Sequence, residues 1–475
     1  MKRIPALYLP VPLLAAAAVL LSLNSCGNNS SSGGGTPPAS KIKHVVVIFQ
    51  ENRTPDNLFH DPVLIANGAD IASSGTNSLG QTVELAPTSL GVDYDLSHAH
   101  SAFVAMYDGG KMDGADHVIV SCSKGATNCP PPNAQFMYVQ ASDVQPYFQM
   151  AEQYTFGDRM FQTNQGPSFP AHQFIISGTS APTATSNLFV ADNGQDADKA
   201  DNNTGCTSAP EEFVYLIDPF GAESSTMYPC FEHPALTDEL DAKGINWRYY
   251  TPSAGSIWTA PNAIQHLCGP NATPPNATAC TSSDWVNNVV LYTTQSPAPI
   301  LTDIANNQLP AVSWVVPAGV NSDHAGSTAT TGGPSWVASI VNAIGASPYW
   351  SDTAILITWD DWGGWYDHVA PAVISNSKSW GSGYVYGFRV PLVVVSPYAK
   401  AAYISHTTHD FGSILNFIEK TFGLSSLGYA DAFADDLSDC FNYDQTPIVF
   451  QTISSPVSAD FFLNDKRPPT DPDDD

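Results

Sequence analysis

His44-Val45-Val46-Val47-Ile48-Phe49-Gln50-Glu51-Asn52-Arg53 and Ala354-Ile355-Leu356-Ile357-Thr358-Trp359-Asp360-Asp361-Trp362-Gly363-Gly364 share one pattern, a short β-branched apolar run that stops at acid. Runs of this kind read as buried strands of a mostly parallel sheet. Open α/β sheets bind their ligands just beyond the carboxyl ends of such strands. If the two acidic ends meet there, they would hold a hard cation among oxygen ligands. Paired carboxylates directly after a buried strand are costly without such a partner. Glu51-Asn52 taken alone reads equally well as a helix-capping turn.

Outward from these two runs, further strand-like runs fall at 174–177, 245–250, 311–316 and 390–396, beside 44–49 and 354–359. Helical spacing marks Ala235–Lys243, which stops at Gly244, and also Ile300–Asn307 and Ser335–Ile344. The strongest helix signal covers Phe411–Phe422, with Asp410 as N-cap and Ile414, Leu415, Ile418 and Phe422 on one face. The alternation predicts an α/β fold, a central mostly parallel sheet between helix layers. Stretches 61–92, 180–230 and 252–296 are rich in Ser, Thr, Asn, Gly and Pro and read as long loops or a cap shaping a cleft.

The start of the chain is set apart from the fold. Lys2-Arg3, an apolar stretch from Val11 to Leu23 and then Asn24-Ser25-Cys26 describe a secretory signal over residues 1–25. Cys26 stands where a bacterial lipoprotein carries its lipid, which predicts an exported protein anchored to the cell envelope by that lipid alone. Residues 26–40 are a Gly/Ser/Pro-rich flexible tether. No second linker divides the rest of the chain, so residues 41–465 are read as one catalytic domain and 466–475 as an acidic tail. Cys122, Cys129, Cys206, Cys230, Cys268 and Cys280 fall into neighbouring pairs, suggesting bridges 122–129, 206–230 and 268–280, with Cys440 left over. Spacing does not fix connectivity. A zinc site is the rival reading, without CxxC spacing to support it.

Charge narrows the partners. The chain of 475 residues has 17 basic and 45 acidic residues, a net −28. Nucleic-acid binding through phosphate neutralisation is therefore excluded as a working reading. The same surface repels an anionic substrate, so a phosphate site here needs a local cation.

In chain order, the candidate chemistry comprises Glu51-Asn52, His98, Ser168 within Gly166-Pro167-Ser168-Phe169-Pro170, His324 within Asn321-Ser322-Asp323-His324, and Asp360-Asp361. These parts suit phosphoryl transfer. A divalent ion offsets the phosphoester's charge, a rigid serine can form a phosphoenzyme, and histidines can bind phosphoryl oxygens and protonate the leaving alkoxide. Each part also has a plain structural reading: Ser168 as loop chemistry, His98 and His324 as packing residues. His406 and His409 read as capping or packing groups, and Asp367-His368 as groups that orient the site or close it.

The ordered set Glu51-Asn52-Arg53-Thr54-Pro55-Asp56, Gly166-Pro167-Ser168-Phe169-Pro170, Thr358 through Val369, and His406-Thr407 with Ser413 through Glu419 resembles the bacterial phosphoesterase family. That family contains phosphatidylcholine-type phospholipases C and acid phosphatases. The resemblance covers about residues 42–425 and implies an alkaline-phosphatase-like α/β core. It also implies one divalent metal ion held by Glu51, Asn52, Asp360, Asp361 and Ser168, with Ser168 as nucleophile and His98 and His324 on the phosphoryl or leaving group. All-oxygen ligands of this kind favour Mg²⁺, Ca²⁺ or Mn²⁺. The chain departs from the family at three places. Asp360-Asp361 stands where Asp-Glu is common, Trp362 where a small polar residue or histidine is common at the cleft rim, and Ala171-His172 where Asn-Arg is usual.

These readings predict a metal-dependent phosphoric ester hydrolase acting through a phosphoserine. A phosphomonoesterase of acid-phosphatase type is preferred, because the C-terminal β domains of the longer phospholipases are not seen. A phospholipase C acting on phosphatidylcholine-type lipids is the alternative, and a non-catalytic surface binding lipoprotein the second. The substrate is accordingly a small phosphomonoester or a phospholipid head group.

Overall fold

The computed structural model describes residues 41–195, 204–326, 332–374 and 385–470. The signal, the tether, Cys26 and the end of the tail lie outside the described residues. The central sheet is built from β1 (His44–Gln50), β2 (Thr155–Phe161), β3 (Trp247–Thr251), β4 (Val289–Leu291), β5 (Val312–Val315), β6 (Thr353–Trp359), β7 (Arg389–Val395), β8 (Tyr403–Ser405) and β9 (His409–Asp410). The strand order is β4-β3-β5-β1-β6-β7-β2-β8, with β9 also beside β2. The five strands from β4 to β6 run parallel. β7 is antiparallel to both its neighbours, and β8 and β9 pair parallel with β2. The sheet is therefore mixed and mostly parallel, as the sequence predicts. Every residue of β6 and β7 is buried, so both faces are covered and the runs Ala354–Ile357 and Val390–Val395 are apolar without alternation.

The main helices are α1 (Ala141–Gln153), α2 (Ser168–Ser177), α3 (Leu236–Ala242), α4 (Pro299–Ala305), α5 (Gly332–Gly345) and α6 (Phe411–Phe422). α5 packs against α1 and α4, while α2 packs against α3 and α6. Asp410 caps α6 by accepting from the Ser413 amide at 3.1 Å, and Gly244 follows α3 with a positive φ of 67°.

The run at 174–177 is a correction: Phe174-Ile175-Ile176-Ser177 is the last part of helix α2, not a strand. All ten residues of α2 are buried, its polar Ser168, His172, Gln173 and Ser177 included, so the helix has no solvent-facing polar stripe opposite an apolar one. A short continuous apolar run cannot be told from a buried strand by periodicity. Conversely, β2 escapes the sequence reading because Gly157-Asp158-Arg159 interrupts its apolar pattern.

The three predicted disulfides, Cys122–Cys129, Cys206–Cys230 and Cys268–Cys280, are all formed, and Cys440 is free and buried. The loop-rich stretches carry small elements of their own, such as the three-stranded sheet of Phe189–Val190, Val214–Ile217 and Glu223–Met227. Trp362 is fully buried, its ring 4.7 Å from that of Phe388, and does not form a cleft rim. At the far end, Gly319 donates to the Thr470 carbonyl at 2.8 Å, so residues up to Thr470 lie against the domain.

A buried ionic knot fastens β7 to the loops beyond β1 and β6. Arg389, fully buried, donates to Asp367 at 2.9 and 3.1 Å, to Asp56 at 3.2 Å, and to the Asp70 and Asp158 carbonyls. His368 joins it through Asp56 at 2.7 Å and Asp70 at 3.1 Å. Asp367-His368 therefore belongs to this knot. Removing the cation would leave the buried Asp367 carboxylate without its partner and Asp56 with His368 alone as a cationic partner, so Arg389→Met should destabilise the fold by about 3–5 kcal/mol at neutral pH. Asp367, which burial already raises to about 6, would rise further without the guanidinium, and Asp56 would lose the cation that helps to lower it, so both would hold protons more strongly in the folded state. The loss should then grow as pH rises from acid to neutral. Denaturant unfolding at several pH values checks this; a loss below about 1 kcal/mol would contradict it.

Candidate active site

β1 and β6 are adjacent, parallel and in step, with Gln50 opposite Trp359. The residues leaving the two strands consequently meet at one level. Asp360 donates its amide to the Gln50 carbonyl at 3.0 Å, and Arg53 donates to the Asp361 carbonyl at 3.0 Å. Asn52 turns with φ 64°, a left-handed conformation that asparagine tolerates better than most residues. Gly363, at φ 62°, lies against it: a Cβ here would collide with the Asn52 carbonyl oxygen, so only glycine fits. Backbone amides then aim the acids. Asp360 Oδ1 accepts from Asp361 N at 2.7 Å, and Asp361 Oδ1 accepts from Gly363 N at 2.7 Å.

Ser168 opens helix α2. Gln162 and Asn164 donate to the Gly166 carbonyl at 2.9 and 2.8 Å, fixing the approach, and a Cβ on Gly166 would collide with the Ala191 carbonyl. The Ser168 hydroxyl lies 3.1 Å from Asp361 Oδ2 and 3.4 Å from Glu51 Oε2. The positive end of the α2 dipole thus faces the place where an anion would react.

The two histidines arrive on loops. The His98 Nδ1 faces the Leu96 carbonyl at 2.8 Å, and the His324 Nδ1 faces the Ala325 carbonyl at 2.6 Å. A carbonyl only accepts, so each Nδ1 carries a proton and each Nε2 of a neutral ring is an acceptor. Both Nε2 atoms converge on the Asn52 amide, at 3.1 and 2.9 Å. The His324 loop is tied back to the strand ends. Gln50 Oε1 accepts from Asp323 N at 3.0 Å, while the Asp323 carboxylate accepts from Tyr147 at 2.8 Å and Trp359 at 3.0 Å. Burial raises the Asp323 carboxyl to a pKa of about 6.

All seven residues predicted from sequence are brought together, and all are buried: Glu51, Asn52, His98, Ser168, His324, Asp360 and Asp361. An eighth, His172, joins them. It lies on α2 one turn after Ser168, with Nε2 3.7 Å from Glu51 Oε1 and 3.6 Å from Asp360 Oδ2. Burial lowers its pKa to about 4, so the ring is neutral. In sequence His172 shows only as a departure from the family pattern. Its i, i+4 relation to Ser168 emerges once 168–177 is known to be helix. His406 and His409 stay outside the cluster, paired with Asp158 at 2.9 Å and Asp435 at 2.8 Å.

The donor set fits a divalent cation. Ligand atoms of Glu51, His172 and Asp360 lie within 4.8 Å of one another. Asp360 Oδ2 is buried without a hydrogen-bond donor, a state that costs several kcal/mol unless a cation answers it. The Asn52 amide adds a second test. With its NH₂ turned to the two imidazole Nε2 atoms, its oxygen lies 3.1 Å from Glu51 Oε2 and from Asp360 Oδ1. Three oxygens facing one another are stable around a cation. The opposite amide orientation would need both imidazoles to be protonated at Nε2.

Beside the site opens a cleft of about 770 Å³, lined by Asp95, Pro167, Asp192, Asn193, Tyr215 and His324 among others, and by no Lys or Arg among the described residues. Burial raises the Asp192 carboxyl above the usual range.

Residues 42–425 match the Phosphoesterase family. The chain is similar to a non-hemolytic phospholipase C of Pseudomonas aeruginosa, 25% identical over 334 residues, which cover 64% of this chain and 43% of that enzyme. It is also similar to phospholipase C B of Mycobacterium tuberculosis, 24% identical over 451 residues, covering 86% of this chain and 78% of that one. The chain thus spans less than half the length of the first relative and about four fifths of the second. Among solved structures, a protein in the alkaline phosphatase superfamily from Vibrio parahaemolyticus aligns with 82% of this chain and 70% of its own, at 10% identity and a TM-score of 0.35.

Proposed function

The chain belongs to the phosphoesterase family, and from that premise we propose that it hydrolyses a phosphoric ester through Ser168, with a phosphodiester bearing a cationic or zwitterionic head group as the preferred substrate. The observation that carries the reading is the Ser168 hydroxyl, at a helix N-terminus, 3.1 Å from Asp361 Oδ2. Its proton passes to a neighbouring carboxylate as Oγ attacks phosphorus. The P–O bond to the leaving alcohol then breaks, and the alkoxide takes a proton from His98 or His324, whichever ring is protonated at Nε2 once the anionic substrate is bound. Water then attacks phosphorus and gives a proton to the resulting neutral imidazole, while the P–Oγ bond breaks and Oγ takes back the proton held by the carboxylic acid. Glu51, Asn52, Asp360, Asp361 and Ser168 would hold one divalent ion. When bound, that ion offsets the charge of the phosphoryl oxygens and lowers the pKa of the hydroxyl beside it.

The cleft weighs between ester classes. Two acidic side chains, Asp95 and Asp192, with Tyr215 and without a basic residue among the described lining, favour a positively charged head group over a bare dianionic monoester. The phospholipase C names of the similar proteins point the same way. This moves the preference from the monoester expected from sequence to the diester.

Export and anchoring through Cys26 complete the reading. They are supported by the basic, apolar and Cys-ending start of the chain and by three disulfides, which suit an oxidising compartment. No helix among the described residues is long and apolar enough to cross a membrane.

Two measurements check these proposals. Metal-loaded protein should cleave p-nitrophenyl phosphorylcholine in preference to p-nitrophenyl phosphate, and Ser168→Ala should lower that turnover about 10³-fold or more. Wild-type turnover by Ser168→Ala would remove the nucleophile, and preference for the monoester would return the reading to a phosphatase. Expressed in a bacterium, Cys26→Ser should move the protein from the membrane fraction to the soluble one; identical partitioning of both forms would refute the anchor.

A further inference from the structure

His172 has a geometry that packing alone does not explain. Its ring is wholly buried between Phe49 and Trp258, with centroids 5.7 and 6.4 Å away. Its Nδ1 lies 3.3 Å from the Tyr249 hydroxyl, and that hydroxyl donates its own proton to the Trp258 carbonyl at 2.7 Å. The Tyr249 oxygen can therefore only accept from His172, which places the ring proton on Nδ1. Nε2 is left as a lone pair, buried and without a hydrogen-bond partner. It points at two carboxylate oxygens, 3.6 and 3.7 Å away.

A lone pair directed at two anions is repulsive. The spacings are too long for a shared proton, and they suit atoms that share a cation. An imidazole whose second nitrogen donates to a fixed acceptor is also the usual dress of a metal-bound histidine. Here Tyr249, locked by Trp258, plays that orienting part.

We propose that His172 Nε2 is a nitrogen ligand of the metal held by Glu51 and Asp360, which makes the centre a mixed nitrogen–oxygen site selective for zinc-like divalent ions over Mg²⁺ and Ca²⁺. The inference rests on the metal reading of the site and changes its expected occupant. Carboxylate and amide oxygens alone suit Mg²⁺ or Ca²⁺, whereas an added imidazole raises affinity along the series from Mn²⁺ towards Zn²⁺. Ser168 and His172 lie one helical turn apart on α2, so the same helix that presents the nucleophile also fixes the ion's position relative to it. Tyr249 becomes a positioning residue, acting only through the imidazole.

The test uses chelator-stripped full-length protein, titrated calorimetrically with Zn²⁺, Mn²⁺ and Mg²⁺, in wild type, His172→Gln and Asp360→Asn. Folding is checked by circular dichroism. Wild type should bind Zn²⁺ most tightly, and His172→Gln should weaken Zn²⁺ about tenfold or more while changing Mg²⁺ little. Asp360→Asn should weaken all three. Pulsed EPR of the Mn²⁺-loaded wild type should show a directly bound imidazole nitrogen, lost in His172→Gln and kept in His98→Gln. If His172→Gln does not fold, the EPR of wild type and His98→Gln decides alone. Wild-type Zn²⁺ affinity in folded His172→Gln, or no nitrogen coupling in wild type, overturns the ligand assignment while the metal reading stands on Asp360→Asn. No metal uptake by wild type, or unchanged uptake by Asp360→Asn, overturns both.

Discussion

Glu51, Asp360 and Asp361 are driven into one buried space because two parallel strands end in step. The register of β1 against β6 leaves no freedom in this: with Gln50 opposite Trp359, the acids beyond them must converge. Converging carboxylates out of water cost more than their hydrogen bonds return, and on the proposed reading a bound cation completes the arrangement. The surrounding construction serves that constraint. Asn52 takes a left-handed turn, Gly363 makes room for it, and backbone amides hold one oxygen of each aspartate while the other turns inward.

The side chains we propose to react are hung around this centre by elements of unequal rigidity. Ser168 and His172 ride on a wholly buried helix, whereas His98 and His324 sit on loops whose backbone carbonyls fix the ring protons. The Arg389 knot stands apart from the centre. Asp56, Asp367 and His368 also bring ligand atoms within 4.8 Å of one another, but a guanidinium already sits among them. One acid cluster is answered by a side chain of the protein, and the other by the cation we propose. That contrast separates architecture from chemistry in a chain with net charge −28.

Much of this was legible in sequence, for physical reasons. Buried parallel strands write continuous apolar runs, so β1 and β6 announce themselves, and the acids that end them mark the site. The N-cap and apolar face of α6 are equally plain. The features that stayed hidden are those buried on all sides. Helix α2 has no solvent-exposed face, so Phe174–Ser177 looks like strand, and the one-turn relation of His172 to Ser168 cannot be seen until the helix is recognised. β2 is obscured by Asp158 and Arg159, whose partners, His406 and Asp70, are remote in sequence. The family pattern, with a small polar residue or histidine at its position, put Trp362 at a cleft rim, yet Phe388, again distant in the chain, encloses it.

The claim on which everything else turns is that a cation completes the carboxylate cluster. Anomalous diffraction from crystals grown with Mn²⁺ tests it most directly. A single anomalous peak enclosed by Glu51, Asn52, Asp360 and Asp361 is the predicted result. Crystals saturated with the ion that keep the carboxylates at the same spacing, with no peak among them, would contradict it.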